Sequence, residues 1–269
     1  MKREHYLAMA MFCGWAVKAA AAGLSPLPAP LPKIPTSDNP FGDVRPYETC
    51  VRSIDLDPGE TFEEALIWRD RGGGLPAERC AALALISLNQ PGEAAVRLEA
   101  LARRPGAGSL PQRAQLLTQS GNAWLLAGQP KMAEDTFSAA IKLVPRDAEI
   151  WIDRARSRAV QSRFAEAETD LTNALTIDKY NSEAFVLRAT ARLKRGNNAG
   201  YRADITAALT SDPRNPEALV ERGSIRAAEG NLQGARADWS QVLAAAPRSP
   251  AAEVARSRLQ ALETRPRRR

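Results

Sequence analysis

Histidine is almost missing from this chain: of 269 residues only His5 is one, and cysteine occurs only three times, at Cys13, Cys50 and Cys80. His5 and Cys13 both fall in a start with the parts of a secretory signal peptide. Lys2 and Arg3 precede an apolar stretch from Tyr6 to Val17, and Ala19-Ala20-Ala21-Ala22-Gly23 follow as small residues. An uncleaved amphipathic start is the other reading. Attachment of a lipid at Cys13 is disfavoured by the bulky Phe12 before it. The apolar stretch is too short to span a bilayer, so no transmembrane span is expected in the mature chain. Cleavage after residue 22 would leave a protein of the periplasm, or a secreted one, with no histidine at all.

That absence excludes whole classes of chemistry. Ser/His/Asp and Cys/His nucleophile systems need histidine, as do zinc sites of the Cys–His type and haem attachment through C-x-x-C-H. No P-loop, G-x-G-x-x-G or calcium-loop pattern occurs. Carboxylate pairs could still act as acid and base, but no pair stands apart from the periodic pattern described below. No catalytic residue, metal ligand or cofactor is expected, and the chain reads as a non-enzyme.

A surplus of one charge is lacking too, once the ends are set aside. The formal charge is +6, from 37 basic and 31 acidic residues. Lys2, Arg3 and Lys18 lie in the first 22 residues with one acid, Glu4, and Arg265, Arg267, Arg268 and Arg269 lie in the last six, so 30 bases face 30 acids between them. The neutral body carries no aromatic-interleaved basic surface and no nucleic-acid partner is expected. The short basic tail offers a weak contact with a polyanion.

What the chain does have is a repeat. Gly121, Ala133, Phe137, Ala140 and Pro145 recur after 34 residues as Ala155, Ala167, Leu171, Ala174 and Lys179. They recur again as Ala189, Tyr201, Ile205, Ala208 and Pro213, and then as Gly223, Ala235, Trp239, Val242 and Pro247. A 34-residue period with small residues at helix crossings and a closing proline resembles the tetratricopeptide repeat family. That resemblance implies an all-α, right-handed helix–turn–helix solenoid. The expected order is a signal peptide at 1–22, a proline-rich linker at 23–46, an N-terminal helix pair at 47–74 and a degenerate unit at 75–113. Four regular units follow at 114–147, 148–181, 182–215 and 216–249, then a capping helix at 250–263 and the basic tail at 264–269. The first two helices are expected over Tyr47–Leu56 and Thr61–Arg71. In the degenerate unit Ala82, Leu85, Ala94, Leu98 and Leu101 match the next unit at an offset of 39, the excess of five falling around Gly106 to Pro111.

In such an array Cys50 and Cys80 lie on adjacent first helices. An oxidising compartment favours their pairing, which would contribute roughly 3 kcal/mol; two buried thiols are the alternative. Three units share a charge pattern absent from the first: Arg154 with Asp170, Arg188 with Asp204, and Arg222 with Asp238. These places hold Ser120 and Thr136 in the unit from 114. Arg158, Arg192 and Arg226 follow one turn after each arginine, where the first unit has Trp124. An Arg–Asp pair inside each hairpin is expected. Trp124, Trp151 and Trp239 fall at packing places and read as core.

The family binds peptides or partner helices along its first helices. Carried onto this chain, that groove includes Asn122, Leu125, Ile152, Arg156, Val186, Thr190, Leu193 and Val220. The stripe is apolar with isolated polar points, and only Asn122 fits the pattern of members that clamp a C-terminal carboxylate. The resemblance implies a protein or peptide partner for a non-catalytic scaffold of the bacterial periplasm or envelope. A fixed accessory or chaperone-like subunit of an envelope assembly is the alternative.

Overall fold

The computed structural model describes residues 45–263. The expected signal peptide, most of the proline-rich linker and the basic tail lie outside the described residues. Among those described, every regular element is helical and there is no strand. The backbone falls into two compact units, one ending at Arg163 and the other starting at Phe164.

The first unit holds α1 (Arg45–Ser53), α2 (Pro58–Trp68), α3 (Gly74–Ser87), α4 (Pro91–Arg103), α5 (Leu110–Leu126), α6 (Pro130–Leu143) and α7 (Ala148–Val160). The second holds α8 (Phe164–Ile177), α9 (Ser182–Lys194), α10 (Asn198–Ser211), α11 (Pro216–Ala228), α12 (Leu232–Ala245) and α13 (Pro250–Glu263). Within each unit consecutive helices pack on one another. No helix among the described residues is long and apolar enough to cross a membrane.

Short polar side chains start the helices at the repeat period. Asp147 accepts from the Glu149 amide, Asn181 from Ala184 and Asn215 from Ala218, at 3.1, 2.9 and 2.8 Å. Each satisfies an amide that a helix N-terminus leaves without an intrahelical partner. The matching place one period earlier is Arg113, which cannot cap and lies inside α5. Ser109 and Gln112 form a capping box instead, and α5 runs to 17 residues where α7 has 13. Most of the five-residue excess of the degenerate unit is therefore an extra turn of α5. The N-terminal pair differs from expectation for a similar reason. Asp57 accepts from the Glu60 amide at 2.9 Å and Pro58 opens α2, so α1 stops at Ser53 and α2 starts at Pro58.

The turn inside each hairpin places one residue in the left-handed region. Asn89, Gly128, Ser162, Gly196 and Gly230 have φ of 60°, 70°, 61°, 79° and 85°. The amide after each of the last four bonds back to the carbonyl five residues earlier, closing the helix end. Ser162 is the one β-carbon residue among those four and carries the strain that glycine avoids.

Where hairpin helices cross, size is exchanged between partners. A β-carbon at Gly121 would lie 2.5 Å from the Phe137 ring, and one at Gly223 would meet the Trp239 indole. Ala82 and Ala189 occupy the same place opposite the smaller Leu98 and Ile205, and all four are buried. Glycine stands opposite a ring and alanine opposite an aliphatic chain, because a close-packed crossing holds a nearly constant volume.

Candidate functional site

Arginine and carboxylate side chains cross between helices in both units. In the second, Arg188 on α9 grips Asp204 on α10 with two parallel bonds, Nε to Oδ2 at 3.0 Å and Nη2 to Oδ1 at 2.8 Å. Arg192, one turn on, also donates to Asp204 Oδ2, at 2.9 Å. Arg222 and Arg226 hold Asp238 in the same way, with the closest contact at 2.7 Å. The aspartates are almost sealed, 3 % exposed at the side chain. Each therefore answers to two arginines, not one, and its full set of acceptors serves to hold a hairpin together. Arg154 and Asp170 belong to different units. Arg154 donates to Ser138 Oγ at 3.0 Å and stacks over Trp151, while Asp170 is buried.

A second set of carboxylates joins one hairpin to the next, and sequence reasoning missed it. In the first unit Glu134 on α6 accepts from Arg158 on α7 at 3.0 Å, and also from Gln161 and Arg163. In the second unit Glu168 on α8 accepts from Arg192 at 2.9 Å and from Arg195. Burial opposes the charge on each, yet the combined bonds hold both carboxyls below the ordinary range. One period later the pair is reversed, with Arg202 donating to Glu229. The exchange of Glu168–Arg195 for Arg202–Glu229 at a spacing of 34 was visible in the sequence; which side chains met was not.

The first regular hairpin solves the same interior without an arginine–aspartate pair. The Trp124 indole and the Thr136 hydroxyl donate to Glu99 Oε1 on α4, at 3.0 and 2.6 Å, and Arg103 donates to its other oxygen at 2.7 Å. Ser120 donates to the Ala95 carbonyl at 2.9 Å. A cleft of about 270 Å³ opens beside this cluster between α4, α5 and α6, with Leu117, Met132 and Leu143 in its wall.

Of the first-helix stripe, the first unit shows Asn122 exposed and Leu125 half-buried, whereas Ile152 is fully buried. Arg156 is paired with Asp153 on its own helix. In the second unit Val186, Thr190 and Leu193 are half-buried and Val220 is buried. The Thr190 hydroxyl donates to the Val186 carbonyl at 3.0 Å, which leaves it only as an acceptor. Ile152 and Val220 are thus core, and the open part of each stripe is narrower than the sequence pattern suggested. Among the tryptophans, Trp239 is buried and donates to the Val220 carbonyl, while Trp124 and Trp151 are half-buried.

Two further groups stand on first helices. Glu221 on α11 accepts from the Tyr201 hydroxyl at 2.5 Å, and burial pushes both groups up. At the N-terminal end a disulfide joins Cys50 on α1 to Cys80 on α3, with their Cα atoms 6.3 Å apart. Beside it, Arg79 lies under the Tyr47 ring at 5.3 Å and donates to Gln119 on α5 at 2.9 Å.

A sequence model of the family described as tetratricopeptide repeat matches residues 127–183 and 186–263. No curated protein matches the chain. Among solved structures it is similar to a thermophilic TPR protein of Thermus thermophilus, with 17% identity and a TM-score of 0.54 over 69% of this chain and 97% of that one. YrrB, a TPR protein with an unusual peptide-binding site, is similar at 18% identity and a TM-score of 0.51, over 67% and 92%. The Arabidopsis OM64 TPR domain reaches 30% identity over 44% of this chain and 98% of its own, with a TM-score of 0.42.

Proposed function

The chain belongs to the tetratricopeptide repeat family, and from that premise we propose that it is a non-catalytic scaffold of the bacterial periplasm or envelope. It holds a peptide or helix of a partner protein against the open residues of its first helices. The observation that carries this reading is how the polar groups divide. The arginines and carboxylates inside the hairpins are spent on one another, as Arg188, Arg192 and Asp204 are. The first helices keep a separate band of half-buried apolar side chains, Leu125 in one unit and Val186 and Leu193 in the other, with Asn122 exposed beside the first. Apolar contact supplies affinity and a few polar points supply orientation, which is how peptide and helix grooves work.

The compartment rests on two supports: the basic head with its apolar run and small residues, and a pair of cysteines close enough to bond, which an oxidising space favours.

Photo-crosslinkers placed at Asn122 and Leu193 in cells test the groove. They should trap a protein in the envelope fraction that crosslinkers at the exposed Thr169 and Thr206 do not trap. Val186→Glu should abolish the Leu193 product while leaving helicity and melting unchanged. If the product persists in that variant and is lost only when Arg265 to Arg269 are removed, the basic tail carries the binding. Peptide mapping without reductant of protein recovered from the periplasm tests the compartment. A crosslinked Cys50–Cys80 peptide and a missing 1–22 segment are expected; two freely alkylated cysteines with the leader intact would contradict it.

A further inference from the structure

Helix α1 is the least anchored of the α-helices. None of its described residues is fully buried, whereas every other α-helix among the described residues seals at least two side chains. Its side-chain hydrogen bonds return into itself, from Arg52 Nε to the Glu48 carbonyl and from the Ser53 hydroxyl to the Thr49 carbonyl. With nine residues it is also too short to hold its own helix in water. What seats it against α2 and α3 is the Tyr47 ring over Arg79, Ile54 just past its end, and the bond from Cys50 to Cys80.

The helices beneath it do not need it. Leu85 of α3 packs with Ala94 and Ala95 of α4 and with Ala123 of α5, and Ala82 packs with Leu98 and Phe137. Glu78 accepts from Arg104, and Arg79 donates to Gln119 on α5. Losing α1 would therefore uncover one strip, Cys80, Ala81 and Ala84 of α3 beside Ala65 of α2, and leave the hairpin behind it standing. The two sulfurs also differ in access. Cys80 is sealed, at 0 % exposure, while Cys50 is half-buried, so a thiolate from outside meets the bond at Cys50.

We propose that the Cys50–Cys80 bond is a redox latch: a dithiol oxidoreductase opens it through Cys50, α1 leaves its seat, and the apolar strip on α2 and α3 is uncovered. A thiolate of the reductant attacks Cys50 Sγ, the S–S bond breaks, and Cys80 leaves as a thiolate that takes a proton. The second thiol of the reductant then attacks the mixed disulfide and frees Cys50. Two electrons pass to the chain and the reductant departs as a disulfide. Oxidation runs the exchange backwards and seats α1 again. The latch does not rest on the reading of the partner groove, whose crosslinking positions lie on α5 and α9.

Hydrogen exchange of the full chain, first oxidised and then treated under native conditions with a reduced dithiol oxidoreductase of the thioredoxin type, tests the latch. Reduction should speed exchange of the α1 amides on the order of a hundredfold, the factor by which a crosslink closing a loop of this length restricts the open chain, and leave α4 to α6 unchanged. Cys50→Ser removes the bond and keeps the buried Cys80 thiol, and should match the reduced wild type. Tyr47→Ala should speed α1 further in the reduced chain and change little in the oxidised one. An oxidoreductase lacking its second cysteine should be trapped on Cys50. A rise of equal size from α1 through α6 would make the bond a staple of the whole unit, and α1 exchanging alike before and after reduction would show that the bond does not seat it. Either outcome overturns the proposal, as does a bond that fails to form on oxidation or yields to the reductant only in denaturant.

Discussion

In the hairpin α5–α6, Ser120, Trp124 and Thr136 occupy the places that Arg188, Arg192 and Asp204 hold in α9–α10 and that Arg222, Arg226 and Asp238 hold in α11–α12. The two sets fill comparable space between a first and a second helix. In the ionic set each aspartate is held within its hairpin by two arginines, while Arg188 and Arg192 also reach back to Thr172 and Glu168 on α8. The other set directs its indole and hydroxyl outward to Glu99 on the preceding hairpin. The shared acceptor of each ionic hairpin is thus its own aspartate, while that of the first regular hairpin, Glu99, comes from the irregular unit before it. Changing one member of either set strands a buried polar group, which is why the three places change together along the chain.

The comparison breaks most sharply at the shared acceptor. Asp204→Ala leaves two arginines facing an apolar gap and should cost about 3–5 kcal/mol in chemical denaturation. Arg188→Ala should cost less, since Arg192 still reaches Asp204. The double mutant should cost less than the sum of the two, and strict additivity would place Arg188 in solvent. A smaller effect is expected at the crossing of α5 and α6. Gly121→Ala forces a methyl into the Phe137 ring and should destabilise by about 1–3 kcal/mol. Phe137→Leu in the same chain should recover most of the loss, because Ala opposite a leucine or isoleucine is the solution used at Ala82 and Ala189. No recovery would mean that the exchange of size is not what sets these pairs.

Ser162→Gly should gain about 1 kcal/mol by relieving a left-handed backbone at the turn after α7. Gly196→Ser should lose a similar amount, and equal melting for both would show that the turn tolerates a β-carbon. The smallest change is expected at Glu221, where glutamine keeps the shape and the Tyr201 bond. A carboxyl whose folded pKa is raised contributes fully below its unfolded value and loses that contribution as pH rises through the folded one. Burial raises Glu221, partly offset by the Tyr201 bond and by Arg258. Glu221→Gln should therefore melt higher than wild type at neutral pH, with the difference vanishing below about pH 4. A constant difference across pH would point to packing instead of ionisation.

Much of the molecule is readable along the chain because its causes are local. A spacing of 34 reports helix crossings, since only small residues fit there, and it carries the caps at Asp147, Asn181 and Asn215 with it. The joint presence of Arg188 and Asp204, or their joint replacement by Ser120 and Thr136, marks a pair in the sequence alone. The site residues were less legible. A stripe read at helical spacing placed Ile152 and Val220 beside Leu125 and Val186, but periodicity gives a direction around a helix and not its depth. The first two are buried.

Residue order along the chain is enough for the helical period, the exchange of glycine and alanine against ring and aliphatic partners, and the ion pairs Arg188–Asp204 and Arg222–Asp238, because each depends on residues whose separation the repeat dictates. Helix packing is what brings Trp124 and Thr136 to Glu99, Arg158 to Glu134, and Arg79 to Gln119 with no carboxylate among the described residues. Those partners stand about 25 to 40 residues apart on different hairpins. Which long side chain reaches which is then settled by the packing of whole helices and by the burial of every polar group in the neighbourhood, and no local spacing records that.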